Sequence, residues 1–107
     1  QNEGRVLENI VFIELKRRKK ELYYYGGDHE CDFVVKSGNR FSTAIQFSHT
    51  LNADNREREQ SGLMEALKKF KLKEGFILTL EQEEQIKTAG KMVHVLPIWK
   101  WLLLNED

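Results

Sequence analysis

The sequence holds one cysteine, Cys31, one proline, Pro97, and no surplus of charge: 17 Lys and Arg balance 17 Asp and Glu. A lone thiol excludes an internal disulfide and any CxxC metal knuckle. It suits a reducing compartment, so a cytoplasmic protein is expected. Zero net charge gives no bulk attraction to nucleic acid or membrane; a nucleic-acid role would need the basic residues to gather on one face. No apolar run approaches the roughly 20 residues of a membrane-spanning helix, so no membrane partner is expected. No signal-peptide pattern is read within these residues, and a fragment could have lost one. No GxxxxGK[ST] loop occurs either, so these residues cannot hydrolyse ATP by that device. The first residue is Gln1, not Met, which we read as a piece of a longer protein.

What is present suits one globular domain over residues 1–107, with 40% hydrophobic and 32% charged residues. Residues 2–20 read as a helix. Val6, Leu7, Ile10, Val11, Ile13 and Leu15 recur at helical spacing and predict one wide apolar face, with Lys16 to Lys20 closing the helix in positive charge. Residues 22–25 predict a short aromatic strand. Residues 31–36 alternate, with Cys31, Phe33 and Val35 on one side and Asp32, Val34 and Lys36 on the other. Ser37-Gly38-Asn39 predicts a turn into a strand over 41–48. Asp54 or Asn55 is expected to cap a helix over 56–70. Residues 76–80 predict a buried strand. Residues 85–87 and 92–96 predict a hairpin about Ala89-Gly90, and Pro97 opens a final helix over 98–104. The order α-β-β-β-α-β, then a hairpin and a helix, predicts an α/β fold: a central mixed β-sheet flanked by helices.

Three polar residues break these patterns. Glu8 has Val11, Phe12 and Leu15 at offsets of three, four and seven, so its carboxylate leans toward the core side of the helix. Unpaired, a buried carboxylate costs several kcal/mol; the plainer reading is that Glu8 sits at the edge of the stripe and reaches water. Asp32 opens one strand and Gln46 lies near the end of the next. A three-residue loop pairing Ser37 with Phe41 would set Asp32 opposite Gln46, whereas a slip of one residue would separate their faces. Two carboxylates and an amide oxygen would suit Mg²⁺, a hard cation that takes oxygen ligands. His29, His49 and His94 are scattered and show no metal-ligand spacing. Trp99, Trp101 and Leu102 to Leu104 read as packing or as a contact with a partner.

Gly4-Arg5-Val6-Leu7-Glu8-Asn9-Ile10-Val11-Phe12, Glu30-Cys31-Asp32-Phe33-Val34-Val35, Ile45-Gln46-Phe47-Ser48 and the closing Leu96-Pro97-Ile98-Trp99-Lys100-Trp101-Leu102 together resemble the DUF4143-type C-terminal domain of prokaryotic AAA+-type ATPases. That domain is similar to the PD-(D/E)XK, or restriction-endonuclease-like, nuclease superfamily. The resemblance implies a helix glutamate at Glu8, a metal-binding aspartate at Asp32, and a (D/E)XK tripeptide on Gln46-Phe47-Ser48. Catalytic and Mg²⁺-binding roles therefore fall on Glu8, Asp32 and Gln46. The second acid has become an amide, and the lysine that would steady phosphate charge has become Ser48. Arg56, Arg58 and Lys36 are the candidates to replace that charge and to contact nucleic acid; their plainer reading is solvated surface. ATP would bind only in the absent part of the parent.

Three readings follow. The first is a degenerate nuclease-like module that contacts DNA or the ATPase domain of its parent. The second is a working Mg²⁺-dependent DNA endonuclease. The third is a structural domain that forms a homodimer through its C-terminal Trp and Leu residues.

Overall fold

The computed structural model describes residues 2–104. Helix α1 spans Asn2–Arg17 and is followed by strands β1 (Glu21–Gly26), β2 (Glu30–Ser37) and β3 (Arg40–Phe47). Then come α2 (Arg56–Lys69), β4 (Glu74–Thr79), β5 (Glu84–Thr88), β6 (Lys91–Pro97) and α3 (Ile98–Leu102). The strands form one mixed sheet in the order β1-β2-β3-β4-β6-β5. The first three make an antiparallel meander, β4 runs parallel to β3 and to β6, and β5 returns antiparallel on the edge. The α/β sheet flanked by helices is as the sequence predicts.

Both faces of the sheet are covered. On one, Leu63, Ala66 and Leu67 of α2 pack against Cys31, Val34, Ala44, Ile77, Val93 and Val95. Full burial of a leucine side chain stabilises by about 1.5–3 kcal/mol, so Leu63 and Leu67 anchor this helix. On the other face Val11 and Leu15 of α1, with Ile98 and Trp101 of α3, pack against Val35, Ile45 and Leu78.

The wide apolar face expected on α1 is divided. Leu7, Val11 and Leu15 turn toward the sheet, while Val6, Ile10 and Ile13 are exposed at 54%, 38% and 63%. Successive residues turn by about 100°, so a helix lying on a sheet buries only part of so broad an arc. The helix also ends before residue 20. Lys19 adopts a left-handed φ of 63°, and the amides of Lys19 and Lys20 close onto the carbonyls of Lys16 and Leu15. Helix α2 ends the same way at Lys71, whose φ is 57°. Helix α3 is likewise shorter than the expected 98–104. Asn55 occupies the N-cap of α2 without a side-chain cap bond; Asn52 instead accepts the Asp54 and Asn55 amides through its side chain.

Two irregularities decide the register around the site. The β2–β3 loop holds two residues, not three: Ser37 pairs with Arg40, and Gly38 takes a φ of 63° at the first loop position, as a type II′ turn requires. A bulge then leaves Ser42 unpaired between Phe41, opposite Lys36, and Thr43, opposite Val35. The extra residue restores the alignment that a three-residue loop would have given, so Phe33 pairs with Ile45. A second bulge lies in β2 opposite Tyr24, because Tyr23 pairs with Val34 but Tyr25 pairs with Cys31. It breaks the expected alternation: Cys31 faces α2, while Phe33 and Val35 face α1.

Candidate functional site

The second bulge occurs at Asp32 and Phe33, and there the sheet opens into a cleft of about 630 Å³. Helix α1 lends Arg5 and Glu8, strands β2 and β3 lend Asp32, Gln46 and Phe47, and the first turn of α2 lends Arg58 and Glu59. Asp28, His29 and Glu30, from the β1–β2 turn and the start of β2, complete the rim. The three residues expected to form a site, Glu8, Asp32 and Gln46, thus line one cleft.

Their roles there differ. Gln46 is only 3% exposed, and its amide acts as a substitute for sheet backbone. Its Oε1 accepts the Asp32 N–H at 2.8 Å, while its Nε2 donates to the Glu30 carbonyl at 2.8 Å and the Glu59 carbonyl at 3.3 Å. The amide therefore ties the bulged start of β2 to β3 and α2. Asp32 replies through Oδ2, which accepts the Phe47 N–H at 2.9 Å. Burial pushes the Asp32 carboxyl up to about 6; the Phe47 bond opposes this, and the carboxylates of Glu8, Glu59 and Glu30 add to it. Ser48, at the expected lysine position, is buried, and its hydroxyl donates to the Thr50 carbonyl at 3.2 Å.

The proposed nucleic-acid residues do not come together. Arg58 lines the cleft and meets Glu59 at 3.1 Å. Arg56 turns aside to Glu84 at 2.8 Å. Lys36 is at the other end of the sheet, opposite Glu21, with its Nζ 5.7 Å from the Phe41 ring centre. Of the closing residues, Trp101 is buried under the Arg18 guanidinium, which lies 5.1 Å from its ring centre. Trp99 and Leu103 are exposed.

Glu59 escaped the sequence reading, although its signal matches that of Glu8. Gly62, Leu63 and Ala66 follow it at offsets of three, four and seven, so it too is a carboxylate on the buried side of a helix. Gly62 was also missed. A Cβ there would lie 2.0 Å from the Glu30 carbonyl oxygen and 2.7 Å from Gln46 Nε2, so its bare Cα lets α2 settle onto the bulge. A third feature needs the fold to be seen. Glu65 of α2 binds both the His29 amide, at 3.1 Å, and His29 Nδ1, clasping the β1–β2 turn; the imidazole in turn holds the Glu65 carboxyl below its usual range.

The donor set fits Mg²⁺ poorly. The Gln46 oxygen is occupied by the Asp32 amide, and among the described residues no three His, Cys, Asp or Glu side chains converge as a cage. An ion here would draw on Asp32 and a neighbouring carboxylate and keep most of its waters.

The fold and cleft define a class: a mixed α/β sheet domain with a carboxylate-rich cleft where an antiparallel meander meets parallel strands. The chain belongs to the family described as Domain of unknown function (DUF4143), which it matches over residues 3–101. It is also 36% identical over 114 residues to an uncharacterized protein of Methanocaldococcus jannaschii. That alignment covers 96% of this chain and 25% of the relative, so the chain spans about a quarter of the length of the protein it matches. No solved structure matches the chain. Among the described residues no helix is long and apolar enough to cross a membrane.

Proposed function

We propose that this chain is a degenerate PD-(D/E)XK nuclease-like module, the C-terminal domain of a longer cytoplasmic AAA+-type ATPase, and that it binds rather than cuts. The observation that carries this reading is the engagement of Gln46. Both ends of its amide hold backbone groups, so the position of the second acid has become scaffold. Ser48 is likewise turned inward onto Thr50 and brings no cation. Hydrolysis of a phosphodiester needs charge stabilisation at the reacting phosphate, and the cleft offers mainly carboxylates. Incubating the chain with plasmid DNA and Mg²⁺ or Mn²⁺ should leave the DNA intact. Cleavage that disappears in Asp32→Ala would overturn the reading.

One observation favours the alternative of a working metal-dependent endonuclease. Glu59 stands close enough to Asp32 to raise its pKa, and so returns to the cleft the negative charge missing at position 46. That reading requires Glu59→Gln to abolish a metal-dependent activity that Gln46→Asn leaves measurable.

The third reading, a homodimer, rests on the exposed Val6, Ile10 and Ile13 of α1, on Trp99 of α3 and on Leu103 just beyond it. Sedimentation of a monomer at high concentration would count against it.

A further inference from the structure

The zero net charge conceals a segregated molecule. Acids gather around the cleft, whereas every strand brings a cation to the opposite end of the sheet. Lys19 leads into β1, Lys36 lies near the end of β2, and Arg40 starts β3. Lys73 precedes β4, Lys87 lies near the end of β5, and Lys91 starts β6. Pairing brings these residues to one end of the sheet, with Arg40 projecting beyond the level of Lys73 because Ile45 pairs with Phe76. Glu21 of β1 faces Lys36, Ser37 faces Arg40, Thr88 faces Lys91, and the Met92 amide bonds the Lys73 carbonyl. Lys73, Lys87 and Lys91 also line a shared groove of about 360 Å³.

Ordinary structural duties explain only part of this row: Lys91 Nζ donates to the Leu72 carbonyl at 2.6 Å, and Lys36 lies over the Phe41 ring. Lysines near helix C-termini complement the helix dipole, which accounts for Lys16, Lys68 and Lys69, left out of the row, and also serves for Lys19 just beyond α1. A lysine on an edge strand can deter edge pairing, which would serve for Lys87. It does not serve for Lys36, Arg40, Lys73 and Lys91, whose strands are interior to the sheet. None of the six makes an ion pair with a described carboxylate. The carboxylates at this end are Glu21 and Glu74, and Glu74 is met by His94 at 3.5 Å.

We propose that this row of strand-end cations is a binding surface for the phosphodiester backbone of nucleic acid. Neighbouring strands lie about 4.8 Å apart, so the row extends about 24 Å across six strands. That length matches about seven base pairs at a rise of roughly 3.4 Å. A line of cations suits an extended polyanion better than a single phosphate. No side chain of the row reads base edges, so binding is sequence-independent and salt-sensitive. This inference does not rest on the cleft reading: a cleft that cleaves DNA would leave the row unchanged.

The test is fluorescence anisotropy of the 107-residue chain with labelled duplex and single-stranded DNA, in EDTA, over a series of salt concentrations. Five phosphate contacts on duplex predict a slope of log K against log salt of about −4.5. Each of Lys36→Gln, Arg40→Gln, Lys73→Gln and Lys91→Gln should flatten the slope by about 1 and weaken all sequences alike. The fourfold variant should bind at least about tenfold more weakly at low salt. Lys100→Gln, which removes a cation paired with Glu83 away from the row, should change nothing. The proposal fails if the parent chain shows no saturable binding at about 50 mM salt, or if Lys100→Gln weakens binding as much as the row variants. It fails equally if phosphatidylserine vesicles bind the chain and DNA does not. Should the fourfold variant misfold, the single-variant slopes decide.

Discussion

Gln46 Oε1 accepts the backbone N–H of Asp32 at 2.8 Å, and so a side chain completes the sheet where a bulge interrupts it. The bond shows how a residue that lines the cleft can be part of the scaffold. It also makes Gln46 expensive to replace. Gln46→Glu exchanges an amide that donates to two carbonyls for a carboxylate held against them in a buried site. The expected loss is about 2–4 kcal/mol by chemical denaturation, with no gain of DNA cleavage. A variant as stable as the parent would show that the amide is dispensable.

Asp32 should make stability fall with rising pH. Its folded pKa of about 6 lies above the ordinary value of 3.8, so the native state holds more protons than the unfolded state between those values. Its contribution is therefore most favourable below the unfolded value and is lost as pH rises toward about 6. Asp32→Asn keeps an acceptor for the Phe47 amide and removes the charge. It should stabilise the domain at neutral pH by on the order of 2 kcal/mol, with the gain fading near pH 4. Urea titrations across that range would reveal an error of sign at once.

Gly62→Ala opposes helix propensity to packing. In an open helix the change would gain about 0.5–1 kcal/mol. Here the new methyl would meet the Glu30 carbonyl at 2.0 Å and Gln46 Nε2 at 2.7 Å, so α2 must move. A loss of about 3 kcal/mol or more is expected in thermal or denaturant unfolding. A neutral result would mean that α2 does not press on the bulge.

Lys71→Gly should have the opposite effect. Lys71 is exposed and carries a left-handed φ of 57° at the end of α2. Glycine adopts that conformation without steric cost, so a rise of about 0.5–1 kcal/mol is expected, visible as a higher Tm.

The two sides of α1 should respond differently. Leu15 is 3% exposed, and Leu15→Ala should cost about 2–5 kcal/mol. Ile13 is 63% exposed, and Ile13→Ala should stay within about 0.5 kcal/mol for an isolated chain. Comparable losses would indicate that the outer stripe is covered in solution.

The sequence by itself determined the element order and the α/β class, because hydrophobic periodicity reports which residues must leave water. It also singled out Glu8, Asp32 and Gln46, since polar residues on buried faces violate that periodicity. The same offset pattern marks Glu59, so this residue was legible though unread. Only the tertiary structure decided what these residues do. Periodicity is local, whereas the compensation of one loop residue by the Ser42 bulge, the reversal of Cys31 against Phe33, and the closure of Gln46 onto Glu30 and Asp32 each depend on a neighbouring strand. Charge shows the same division: composition reports only a sum of zero, and only the fold gathers a group of carboxylates around the cleft and brings strand-end cations to the other end of the sheet.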